Sequence, residues 1–262
     1  LTAFTERAKA VLGETVRSGR LLIHLTAESA GKAAVLPLLT ELPARYPAGG
    51  KGEVRFRLVE DIRREGFRSA SRVNYVARVG NFRTGGYRYT GALRIAQTML
   101  SYGYLWNEIR SKGGAYGCAV RFGRGGNVVF SSYRDPKLEA TDKVYEGTPA
   151  YLEHYEADER EMTKAIIGAI GEMDTPRSAQ MSGQLALAAY YSKVTDEMLS
   201  AERREVLTAT PADIRALAPL VREALRYEAK CVIGNESAIE RAEDFFTEIP
   251  QLFAKESEET EA

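Results

Sequence analysis

Four short runs alternate apolar and polar positions, the period of two expected of half-buried strands. In EVRFRLV (53–59), Val54, Phe56 and Leu58 alternate with Glu53, Arg55 and Arg57. In RVNYVARV (72–79), Val73, Tyr75, Ala77 and Val79 share one face. YGCAVRF (116–122) and VVFSSY (128–133) flank the glycine turn GRGGN (123–127), the pattern of a β-hairpin. RLLIHLT (20–26) and AKCVIG (229–234) add two short apolar strands.

The remaining spacing is helical. Residues 3–18 and 30–46 read as helices on either side of the 20–26 strand, with Pro37 early in the second. Leu93, Ala96, Met99 and Leu100 form one buried stripe. Helices are expected near 136–154, 158–172, 177–193, 196–208 and 211–227, separated by the cap residues Asp158, Thr195 and Thr210. Asp135 and Pro136 should start the first of these. Ser237 with Glu240 reads as a capping box opening a last helix that runs to about Phe246.

Strands gather early, helices late, and one strand returns near the end. That order predicts an α+β fold: an antiparallel sheet with helices packed on one face. PAGGKGE (47–53) is the strongest linker signal. The leading helix–strand–helix is similar to the helix–strand–helix that closes the chain. The expected organisation is therefore the C-terminal end of a preceding related domain over 1–47, a linker over 48–53, a complete domain over 54–248, and an acidic, disordered tail over 249–262.

The 262 residues carry 36 Lys and Arg against 36 Asp and Glu, so the basic excess of a nucleic-acid binder is absent. No apolar run approaches the roughly 18 residues that would span a bilayer, and the N-terminus lacks a signal-peptide pattern. It also lacks an initiator Met, which points to a fragment or a processed piece. Cys118 and Cys231 read as buried free thiols in a reducing compartment.

Metal chemistry needs clustered ligands. The only histidines, His24 and His154, lie far apart; the first reads as a structural strand residue and the second as a solvated helix end. There is no nucleophile elbow, P-loop or dinucleotide fingerprint. What remains is YLWNEIRSKGGAYGCAVRF (104–122): a helix-like run with Trp106 and Arg110, a stop at Gly113-Gly114, and a strand restarting from Tyr116. Arg110 reads either as a cation near a helix C-terminus or as a substrate ligand. Tyr116 reads either as a strand aromatic or as a hydroxyl donor. Trp106 suits a core or domain-contact anchor, Asn74 and Tyr75 suit strand packing, and Arg134 and Asp135 suit the hairpin-to-helix corner.

FRSASRVNYVARVGNFRTGGYRYTGALRIAQTML, YLWNEIRSKGGAYG, FSSYRDPKLEATDKVYEGT and TKAIIGAIGEMD, in that order between Phe67 and Phe246, resemble the C-terminal part of the presequence-protease branch of the pitrilysin/insulinase zinc peptidases. The resemblance implies four related α+β domains enclosing a chamber, with zinc held by an H-x-x-E-H motif on the first domain. This chain has no such motif, so it resembles the end of a third domain and the whole fourth, with no metal of its own. Two residues of that domain reach the distant zinc site, and their motif positions here are Arg110 and Tyr116. Gly113 and Gly114 would let both face the substrate. The implied partners are a short unstructured peptide substrate and the zinc-bearing N-terminal half; no nucleic acid or membrane is expected. The chain alone should be inactive, and a bacterial cytoplasmic setting is expected. The alternative is a separately encoded zinc-free subunit or peptide-binding module.

Overall fold

The structure, a computed structural model, describes residues 2–49 and 62–252. The expected strand over 53–59 and most of the linker lie outside the described residues. The chain divides into two compact units, residues 2–49 with 176–196, and residues 62–175 with 197–252.

The first unit contains α1 (Thr2–Thr15), α2 (Ser29–Glu41, with Pro37 inside) and α6 (Ala179–Ser192). The strand expected over 20–26 does not form. Residues 18–20 make a 3-10 turn and the following stretch is irregular, with no strand beside it among the described residues to offer its backbone a ladder. Leu21, Leu22 and Leu25 are exposed, as are Phe4, Leu12, Leu38, Tyr190 and Tyr191. Among its described residues only Gly183 is buried.

The second unit is built on a five-stranded sheet: β1 (Arg64–Ser69), β2 (Asn74–Asn81), β3 (Gly117–Phe122), β4 (Asn127–Asp135) and β5 (Ala229–Asn235). Their spatial order is β1-β5-β2-β4-β3. β1 runs parallel to β5 and every other pairing is antiparallel. The helices are α3 (Ala92–Met99), α4 (Glu139–Glu153), α5 (Glu159–Met173), α7 (Asp196–Leu207), α8 (Pro211–Arg215), α9 (Ala218–Leu225) and α10 (Glu236–Arg241). The inward face of the sheet, with Val76, Val120, Phe130 and Val232, is buried with Leu93, Ile95, Leu152, Val221 and Ile239 from the helices. The expected α+β fold is the one formed.

Four local expectations change. The apolar face of β2 is the outward one: Tyr75 and Val79 are exposed, while Asn74, Val76 and Arg78 are buried. Arg78 tolerates burial because its Nη1 donates to Asp142 and Glu146 at 2.9 and 2.8 Å, and its Nη2 to the Leu225 carbonyl. Asp135 ends β4 rather than capping a helix from Pro136; its carboxylate accepts from the Lys137 N–H and the Thr141 hydroxyl, and α4 begins at Glu139. Asn235, not Ser237, caps α10 by accepting from the Ala238 N–H. The helix expected over 211–227 splits between α8 and α9, where Pro219 has no N–H for a continuous ladder.

Candidate functional site

Residues 100–111 continue α3 as π-helix, in two stretches, Leu100–Tyr104 and Trp106–Ser111. Hydrogen bonds to the fifth residue widen the turn, so buried positions recur at Leu100, Leu105 and Ile109. The opposite side carries Tyr102, Trp106 and Arg110, four residues apart and therefore nearly stacked. The Arg110 guanidinium lies 4.4 Å from the Trp106 ring centre and 5.3 Å from that of Tyr116. No carboxylate pairs with it among the described residues, since neighbouring Glu108 is taken by Lys112.

The two glycines have different jobs. A side chain on Gly113 would place Cβ 2.2 Å from the Ile109 carbonyl oxygen, so only glycine lets the chain fold back onto the helix end. Gly114 adopts φ 87, the left-handed region that closes helices. The Gly114 and Ala115 N–H groups then donate to the carbonyls of Arg110 and Ile109. This reversal delivers Tyr116 to the start of β3, where its N–H donates to the Tyr133 carbonyl at 3.1 Å.

Tyr116 is 63% exposed. Its ring meets that of Tyr133 edge-on, and Tyr133 meets Tyr75 in the same way, with centres 5.7 and 5.3 Å apart. A bulge in β4 sets this arrangement: Asn74 pairs with Asp135 but Val76 with Ser132, so Tyr133 and Arg134 together oppose Tyr75. Arg134 takes up the irregularity at φ 49. The structure thus brings Arg110, Gly113, Gly114 and Tyr116 together. It adds Trp106 and Tyr75, which the sequence assigns to packing, and Tyr133, which the sequence does not single out; the four-residue spacing of Trp106 and Arg110 is the available signal.

The other titratable groups nearby are not nucleophiles. Burial, with Asp135 close by, pushes the Cys118 thiol up to about 11, and burial likewise raises that of Cys231. Three or more His, Cys, Asp or Glu side chains placed to hold a metal ion do not occur among the described residues. His24 is exposed, and the Nδ1 of His154 sits 2.9 Å from the Ala150 carbonyl at the end of α4. The described residues therefore do not fit a zinc site.

Residues 64–236 match the family described as PreP C-terminal domain. The chain belongs to that family. It is 42% identical over 202 residues to Protein HypA of Clostridium perfringens, and 32% identical over 205 residues to presequence protease 1, chloroplastic/mitochondrial, of Arabidopsis thaliana. Those alignments cover 77% and 76% of this chain but only 21% and 19% of the relatives, so the chain spans about a fifth of their length. Among solved structures, the fold is shared with a peptidase M16 inactive domain from Pseudomonas fluorescens (TM-score 0.54, 16% identity, 78% of this chain and 51% of that one). It is also shared with pitrilysin (TM-score 0.51, 13% identity, 78% and 23%). This PreP-type domain is thus a pitrilysin-family fold of the presequence-protease branch. No helix among its described residues is long and apolar enough to cross a membrane.

Proposed function

We propose that this PreP-type domain is the substrate-gripping C-terminal part of a longer zinc-dependent endopeptidase that degrades short unstructured peptides. The observation that carries the reading is the Arg110 guanidinium, unpaired and held between the rings of Trp106 and Tyr116 beside the exposed Tyr116 hydroxyl. A stacked guanidinium keeps its N–H edge free, so Arg110 can donate to a peptide carbonyl. Tyr116 can donate to the oxygen that gains charge when that carbonyl is attacked. The metal and the base belong to the N-terminal half of the polypeptide, outside this chain, and the chain alone is inactive. The near absence of buried side chains among the described residues of the first unit fits residues 1–47 being the end of a preceding related domain.

The test uses the complete polypeptide that carries this sequence. Tyr116→Phe should lower kcat by about 10²–10³-fold, or 2.7–4 kcal/mol of barrier, the loss typical of one oxyanion donor. Arg110→Ala should mainly raise KM. Unchanged turnover in Tyr116→Phe would reduce the tyrosine to a packing residue and sink the proposal.

A further inference from the structure

At the opposite end of the β3–β4 hairpin from Tyr116, a cavity of about 620 Å³ opens between the 83–89 loop, the hairpin turn and α7. It lies roughly 20 Å away, the length of a six-residue strand. Arg83, Arg88 and Arg124 line it from two separate segments, with Tyr89 among them and Glu202 and Glu205 opposite.

The acidic groups are already committed. Glu202, 5% exposed, accepts from Arg94, from the Nε and Nη2 of Arg124 and from the Tyr89 hydroxyl. Glu205 accepts from the Gly91 N–H at 2.6 Å. Of the charges packed close by, Glu223 is paired with Arg226, and Asp213, on an adjoining cavity, is engaged by Thr210. Arg83 and Arg88 have no ion-pair partner among the described residues. Three guanidinia and two carboxylates therefore line the cavity, in a chain whose formal net charge is zero. The local excess is one positive charge, and two of the three guanidinia are held by no carboxylate among the described residues.

We propose that this cavity binds a small phosphate-bearing anion. A phosphate group carries charge opposite to the excess, and guanidinium forks suit its oxygens better than ammonium groups do. Arg124 is preorganised for that role. Glu202 fixes it from one side and the Tyr89 ring lies 5.7 Å from its centre, so little side-chain freedom is lost when a ligand arrives. Tyr87, Tyr89 and Met198 supply an apolar wall for the organic body of a phosphate ester. Such a ligand would tie the loop, the hairpin turn and α7 together. The site is independent of the Arg110–Tyr116 pair and stands or falls without it.

The experiment is calorimetric titration of the whole chain with inorganic phosphate and pyrophosphate at constant ionic strength in chloride, with citrate in parallel. Saturable phosphate or pyrophosphate binding with a dissociation constant below about 1 mM is expected. Arg83→Gln/Arg88→Gln should weaken it at least about tenfold by removing two charge-assisted contacts. Arg121→Gln, on the outward face of β3, should leave it unchanged. The single variants Arg83→Gln and Arg88→Gln are measured alongside, so that a folding defect in the double variant does not decide the outcome. Non-saturating heats, equal binding by the arginine variants, or tighter binding of citrate than of pyrophosphate would each overturn the proposal.

Discussion

Two arginines at the two ends of one hairpin show how the same side chain can serve structure or function. Arg124, in the turn, spends two nitrogens on Glu202, a carboxylate that is almost fully buried and also held by Arg94 and Tyr89. Arg110, beside the start of β3, meets no carboxylate among the described residues and lies against two aromatic rings. A cation–π contact orients a guanidinium while leaving its donors unspent. An ion pair consumes some of them. Pairing with a buried carboxylate thus distinguishes an arginine that is tied into the fold from one oriented by aromatic rings alone.

The largest expected effect comes from breaking the ion-paired cluster around Glu202. Glu202→Ala strands Arg94 and Arg124 against a part-buried wall and should cost about 3–5 kcal/mol in urea denaturation. A loss comparable to that of an ordinary surface substitution would mean the cluster is solvated and the contrast false.

A smaller effect sharpens the same end. Burial, chiefly, pushes the Tyr89 hydroxyl from 10.0 up to about 12. The folded chain keeps this proton at a pH where the unfolded chain releases it. The stability it contributes is therefore complete below about pH 10 and lost as pH rises towards 12, up to about 2–3 kcal/mol. Burial raises other tyrosines too, so the measurement is the difference in alkaline slope between the parent and Tyr89→Phe. Equal slopes would show that Tyr89 is not the group responsible.

The smallest effect belongs to the open end. Arg110→Ala should change stability by less than about 1 kcal/mol, the scale of an exposed cation–π contact, and Trp106→Leu should do the same. A stability loss in either variant near that of Glu202→Ala would make the stack structural and erase the comparison.

Much of this was legible in the chain, and its gaps have physical causes. The hairpin, β5 and most helices were visible because their periodicity and caps are local: Asp158 forms a capping box with Glu161, and Thr210 with Asp213. β1 was missed because REGFRS has one large apolar residue and gains its place by pairing with β5 and bridging to Glu248 and Gln251, all more than 160 residues on. The 20–26 strand was overread because apolar composition does not supply a neighbour. The outward face of β2 was misread because Arg78 finds its partners at Asp142 and Glu146, which no local pattern reveals. Arg110, Gly113, Gly114 and Tyr116 were found as a motif, but the π-helical turn that sets Arg110 over Trp106 looks like an α-helix in sequence. The Glu202 cluster draws on residues 89, 94, 124 and 202 and leaves no local trace.

The bulge at Tyr133 and Arg134 has a wider consequence. Along a regular strand, successive residues look to alternate sides, so Tyr133 outward would force Asp135 outward as well. The extra residue at Arg134 shifts the phase. Tyr133 can join the exposed rings while Asp135, 0% exposed, turns inward to Thr141. Length and side are therefore coupled at this point: a regular ladder that kept Arg134 would leave either the ring or the carboxylate on the wrong side, whereas with Arg134 removed the two become successive residues on opposite sides and no bulge is needed. One further inserted residue here, with no second bulge to absorb it, acts as a parity error, although the same change in a surface loop would pass unnoticed.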